Sequence, residues 1–439
     1  MLKKLFFLSA IGISSVVFSQ NKIKEKLGNY FDSLFVHHKI MGSFAFAENN
    51  QPTFLKVVGF SDVEKQQKAN MNTQYRVGSI SKTFTAVLIM KAAEDQKLSL
   101  DQKLSDFYPE IPNADKITIE NLLQHRTGIH NLTNEGEYWQ YNTKAQTESS
   151  LVNIIKKYKS DFEPGSKYEY SNSNYILLGF ILEKVFKKPY AELIKNKIAR
   201  PLKLTLTEVG GKIDTSGNQA KSYQYMNGKY EASSETDMSI PGGAGSIIST
   251  PTELLIFILG LEQGKLIKKE SLDTMKNFVG NYGYGLVKVP FDTYWGFGHT
   301  GGIDKFSSAL FYFPDLKVAI AFSTSQSDMD TNEISIKMIK TAMGKDFEMP
   351  GFKVFEVPEN ELRKYAGTYS SPDIPLKINI FIREKKLVAQ ATGQSEFSLE
   401  ATSNTRFKFD MAGIVIDFYP AKNQFVISQG ETKNTFTKE

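Results

Sequence analysis

Arg76-Val77-Gly78-Ser79-Ile80-Ser81-Lys82-Thr83-Phe84 is the stretch on which the reading of this chain turns. Residues three apart on a helix share a face, which puts the Lys82 side chain beside the Ser79 hydroxyl. Ile80, Phe84, Val87, Leu88 and Ala92 continue with the apolar spacing of a helix buried on one side. Ser79 is expected at the N-terminus of that helix, where free N–H groups and the dipole favour developing negative charge. A serine hydroxyl becomes a useful nucleophile only when a base within hydrogen-bond reach takes its proton. Alone the pattern is weak, because a capping serine and a solvated lysine read the same way. Ser19-Gln20-Asn21-Lys22 repeats the spacing by chance.

Two further pieces, in order along the chain, change that. Tyr170-Ser171-Asn172 supplies a Tyr-x-Asn and His299-Thr300-Gly301 a basic-Thr-Gly. Tyr225-Met226-Asn227 also satisfies the second pattern, so the signal lies in order, spacing and context. Together the three can be assembled into an acyl-transfer site.

These motifs resemble those of the penicillin-recognising serine hydrolases, most closely the class C β-lactamase and D-Ala-D-Ala carboxypeptidase branch. Leu122-Leu123-Gln124-His125-Arg126-Thr127-Gly128-Ile129, Phe162-Glu163-Pro164-Gly165 with Tyr168 to Gly179, and Gly242 to Ser246 before Ser249-Thr250-Pro251 extend the likeness over about residues 25–345. The resemblance implies that Ser79 forms an acyl-enzyme and that Lys82 and Tyr170 share the general acid–base work. It implies that Asn172 holds a substrate amide or orients Lys82. His299, Thr300 and Gly301 would line the substrate side, with Thr300 and His299 facing a substrate carboxylate. The backbone N–H groups of Ser79 and Gly302 would form an oxyanion hole. His299 stands where most β-lactamases of this kind have lysine, and histidine ordinarily titrates near neutrality. That departure points away from a dedicated β-lactamase and towards carboxypeptidase, D-aminopeptidase or esterase relatives.

The chain has 439 residues, 41% of them hydrophobic, enough for more than one core. It has no cysteine, which removes disulfides, thiol catalysis and a lipid-modified N-terminal cysteine. The net charge of +5 is small and dispersed, arguing against a nucleic-acid partner. Met1 to Lys4 and the apolar run Leu5 to Phe18 read as a signal peptide over residues 1–19, cut after Ser19. A periplasmic or secreted mature protein without a transmembrane segment is therefore expected.

Helix is expected at 22–40, through much of 79–205 and at 334–343. A strand hairpin is expected at 42–60, with strands at 282–289, 307–313 and 318–323. This order of elements points to an α+β fold, and the resemblance specifies an antiparallel sheet flanked by helices plus a helical lobe, over residues 20–345. Past Gly351 come Tyr365-Ala366-Gly367-Thr368-Tyr369 and short strand patterns at 377–382, 387–391, 406–409, 414–419 and 424–428. Residues 352–439 resemble the small all-β, lipocalin-like barrel domain attached to some of these hydrolases.

His37-His38 and His125/His130 lack carboxylates at helpful sequence spacing, so no metal is expected, and no cofactor is implied. A Gly-x-Ser-x-Gly elbow is absent, against an α/β-hydrolase triad. The expected substrates are small molecules or peptides: peptidoglycan-like peptides, other D-amino-acid peptides, β-lactams or esters. An idle member of the same fold that binds peptidoglycan or a partner is the alternative. The oligomeric state stays open.

Overall fold

The computed structural model describes residues 3–439 except 227, 353–354, 410–411 and 431, with backbone alone for residues 3–19. The side chains of the expected signal peptide thus lie outside the described residues. The first helix, Lys3–Val36, is longer than the one expected at 22–40 because it continues upstream through the leader. It ends at Val36, and His38, with a positive φ of 57°, turns the chain into a hairpin. Among the described residues no helix is long and apolar enough to cross a membrane.

The chain divides into two compact units: residues up to 326 with 335–347, and 327–334 with 348–439. The first unit is built on a six-stranded sheet with strands in the order Val287–Phe291, Tyr294–Ile303, Phe306–Phe313, Val318–Ser327, Ile40–Glu48 and Gln51–Val58. Its middle strands are buried on both faces, as near-continuous apolar runs such as Ile40 to Ala47 and Val318 to Phe322 require.

Against this sheet lies the helix Ser81–Glu94, packed in turn on Asn172–Phe186. Every residue from Ser81 to Met90 is buried, where the spacing alone implied one buried side. Phe84 stacks on Phe257, with ring centroids 3.7 Å apart. Ser79 is also placed differently from expectation. It sits in a single 3-10 turn, Gly78–Ile80, and the α-helix proper begins at Ser81. The reason is Gly78, whose φ of 52° bends the backbone and whose Cβ position would lie 2.8 Å from the nitrogen of Gly302. Only a residue without a side chain lets those two backbones meet.

The strand expected from Tyr282 begins only at Val287. Gly283 and Gly285 run directly against the carbonyls of Met275 and Lys82, a close approach that pulls the preceding segment into turns. Within the stretch expected to be largely helical, a Thr118 capping box opens the short helix Ile119–Leu123, and His125 beyond it has a positive φ of 55°.

The second unit is a helix, Glu359–Tyr365, and a nine-stranded antiparallel sheet. Its two outermost strands, Phe397–Ser398 and Glu400–Ala401, are separated in sequence only by Leu399, so the sheet curls into a nearly closed barrel. Tyr365, Tyr369, Phe407, Phe418, Phe425 and Phe436 fill it.

Candidate active site

The three motifs meet in the first unit. Ser79 Oγ lies 2.9 Å from Lys82 Nζ and 2.9 Å from the Tyr170 hydroxyl. Lys82 is fully buried, and its Nζ also donates to Asn172 Oδ1 at 2.8 Å and to the carbonyl of Ala244 at 2.9 Å. None of these partners is a carboxylate. Burial without a counter-charge holds Lys82 well below the ordinary lysine range. Burial also pushes the Tyr170 hydroxyl upward, so it stays protonated. The two groups are thereby driven towards opposite proton-transfer roles.

Asn172 is committed within the protein. Its Nδ2 donates to Thr133 Oγ1 at 3.0 Å and its backbone N–H to Asn131 Oδ1 at 3.0 Å, which fixes the amide oxygen towards Lys82. Of the two roles implied for Asn172, this geometry serves the orientation of Lys82.

His299, Thr300 and Gly301 lie on the strand Tyr294–Ile303, paired with Leu310, Ala309 and Ser308. A Cβ at Gly301 would stand 1.9 Å from the Val77 carbonyl, so this strand and the segment before Ser79 touch through bare backbone. Gly302 follows beside Gly78, and it lines the cleft together with Ser79 and Thr300.

The expectation that His299 offers a charge near neutrality is overturned. The side chain is 3% exposed. Its Nδ1 is 2.5 Å from the carbonyl of Thr300, which can only accept, so Nδ1 carries the hydrogen. Its Nε2 then accepts from the Tyr282 hydroxyl at 3.0 Å. Burial, with Lys82 nearby, pushes its pKa down to about 3. Both hydrogen bonds and the burial favour a neutral imidazole at His299.

Sequence reasoning passed over two supports. His125, quoted within the Leu122 to Ile129 segment but given no role there, lies beneath Tyr170 with ring centroids 4.4 Å apart. Its Nδ1 accepts from the backbone N–H of Ser171 at 3.2 Å, pinning the Tyr-x-Asn turn. Its place in the Leu122 to Ile129 segment was the available signal. Arg76 is the other. It spans Asp304 and the Thr236 carbonyl, each at 2.8 Å, and the Gly211 carbonyl at 2.9 Å, tying the approach to Ser79 to the turn after Gly302. His130 has carboxylate partners that its sequence spacing hid: Asp161 at 3.0 Å and Glu135 at 2.9 Å.

Two cavities open on either side of Ser79 and Gly302, which line both. The smaller, about 250 Å³, is walled by Tyr168, Tyr170, Tyr282, Val287, His299 and Thr300. The larger, about 630 Å³, includes Asn172, Ala244, Trp139, Glu231, Asp304 and Lys305.

This fold is that of the penicillin-recognising serine hydrolases. The chain belongs to the beta-lactamase family, whose model matches residues 31–339, and it is a hydrolase of that family. It is 25% identical over 333 residues to a teichoic acid D-alanine hydrolase of Staphylococcus aureus, covering 74% of this chain and 79% of the relative. A D-amino acid amidase from Ochrobactrum anthropi SV3 superposes with a TM-score of 0.66 at 21% identity, over 73% of this chain and 99% of that one. A D-stereospecific amidohydrolase from a Streptomyces species does so with a TM-score of 0.61 at 27% identity, over 73% and 97%.

Proposed function

We propose that this protein is an exported serine hydrolase that forms an acyl-enzyme on Ser79 and cleaves amide or ester bonds of D-amino-acid compounds, with reactivity towards β-lactams. The observation that carries the reading is one hydroxyl, Ser79 Oγ, held at 2.9 Å from both an amine whose pKa burial lowers and a phenol whose pKa burial raises. As Oγ attacks the carbonyl carbon, its proton passes to Lys82. The carbonyl oxygen becomes an oxyanion beside the backbone N–H groups of Ser79 and Gly302. Tyr170 gives its proton to the departing nitrogen or oxygen and recovers one from Lys82 across Ser79. Water, activated by the same groups, then releases the acid and restores the serine. The names of the relatives support a D-configured acyl group. Export rests on the leader at residues 1–19, with a periplasmic or secreted destination, and the hydrolase is assigned to residues 20–345 with the barrel at 352–439.

The test is covalent labelling. A fluorophosphonate or labelled penicillin is expected to modify the protein once, on Ser79, with no labelling of Ser79→Ala. Undiminished labelling of that variant, mapped to another serine, overturns the assignment.

A further inference from the structure

We propose that the leaving-group side of this cleft accepts only an uncharged group, so that the substrates are D-amino-acid amides, esters or capped peptides, and not peptides whose departing residue carries a free carboxylate. The inference rests on the function proposed above and narrows it.

The first step is to decide which cavity receives the departing group. The proton donor to the leaving atom is Tyr170, and Tyr170 lines the smaller cavity. Asn172 and Ala244, which hold Lys82, line the larger one. An acyl carbon on Ser79 therefore sends its leaving group into the smaller cavity and keeps its acyl side chain in the larger.

The second step is the chemistry of the smaller wall. Tyr168, Tyr282 and Val287 are aromatic or apolar, and Asn281 and Thr300 are neutral; among the described residues no lysine, arginine, aspartate or glutamate lines it. His299 holds the position where a cation would meet a carboxylate, but both its nitrogens are spent. Nδ1 donates to the Thr300 carbonyl and Nε2 accepts from Tyr282. Making it cationic requires a proton on Nε2 and reversal of the Tyr282 bond, in a place 3% exposed, and leaves Nε2 still facing Tyr282. Lys82 does not substitute, because its three contacts turn it towards Ser79 and the larger cavity. A carboxylate entering here loses water and meets only neutral donors, whereas a carboxamide or an ester alcohol has no charge to desolvate. The charged side chains that line the larger cavity stand on the acyl side instead: Glu231, Asp304 and Lys305.

The experiment uses the full chain and two substrates with the same scissile bond, D-Ala-D-Ala-amide and D-Ala-D-Ala, with D-alanine methyl ester as a third. The amide-capped dipeptide is expected to exceed the free acid in kcat/KM by on the order of 10²-fold, the penalty of an unpaired desolvated charge. Asn281→Lys places a cation on the exposed rim of the same cavity. It is expected to narrow that ratio about tenfold by raising the rate on the free acid. Equal or faster cleavage of the free acid by the unaltered protein overturns the inference and leaves the hydrolase intact. A ratio that Asn281→Lys does not move removes charge as its origin and overturns it as well. No Ser79-dependent turnover of any of the three refutes the proposed function itself.

Discussion

Replacing Lys82 by methionine reads the state of the catalytic amine through folding stability, independently of turnover. Lys82 is buried with three oxygen partners and no carboxylate among them, and burial lowers its pKa well below 10.5 in the folded protein. In the unfolded chain the amine returns to about 10.4. Between those two values the unfolded chain binds one proton more than the folded one, so folding stability rises with pH by about 1.4 kcal/mol per unit. The rise stops above the unfolded pKa. This is the opposite of a lysine held up by an ion pair, whose contribution is lost as pH rises. Methionine has similar length and no titration, so this slope disappears in Lys82→Met. Other groups at the site titrate outside the window: His299 is down at about 3 and Tyr170 is pushed upward. Tryptophan fluorescence suits the measurement, because the chain's two tryptophans, Trp139 and Trp295, both lie in the first unit. Urea unfolding between about pH 8 and about pH 10 is expected to show the wild type gaining on the variant at close to the full slope. A constant offset of about 1 kcal/mol per lost hydrogen bond accompanies it and does not bear on the question. Parallel stability curves would show that Lys82 keeps its proton in the fold and refute the reasoning.

Tyr170→Phe is expected to slow acylation by amides roughly 10²–10⁴-fold, as loss of a general acid does, and to slow acylation by p-nitrophenyl esters far less, since that leaving group needs no proton. Equal losses on both, measured by stopped-flow, would place the acid elsewhere. Gly301→Ala brings a methyl group within 1.9 Å of the Val77 carbonyl and 2.9 Å of Ser308 Oγ, forcing the third-motif strand off the segment that precedes Ser79. Such overpacking costs about 1–3 kcal/mol and is expected to abolish detectable labelling of Ser79 while circular dichroism stays native-like. Full labelling would show that the two backbones need not touch.

Side chains placed by short covalent spacing were legible in the sequence. Ser79 and Lys82 share a face three residues apart, and Tyr170 and Asn172 flank one turn, so their types and order announced the chemistry. Illegible were the parts made by distant backbone. The Ala244 carbonyl reaches Lys82 across 162 positions in sequence, and nothing about an alanine advertises it. His299 was visible as a residue but not as a neutral one, because its state is set by Tyr282 and by burial, both products of packing. In the barrel, the strand patterns from Lys377 onward were long enough to alternate. The closing strands Phe397–Ser398 and Glu400–Ala401 hold two residues each, too short for any periodicity.

The strand order of the large sheet carries a consequence for how the molecule comes into being. Ile40–Glu48 stands between Gln51–Val58, its hairpin partner, and Val318–Ser327, the last strand of that sheet along the chain. The hairpin is made long before Val318–Ser327, so its inner edge has no neighbour until nearly all of the first unit has followed. A lone two-stranded ribbon is marginal in water, and an apolar strand with an open edge invites pairing with another chain. Assembly of this sheet is thus a late, long-range event, of the kind that sets slow folding rates. Until that partner arrives, Ile40 to Ala47 is an apolar strand with an open edge, the kind of segment a chaperone covers.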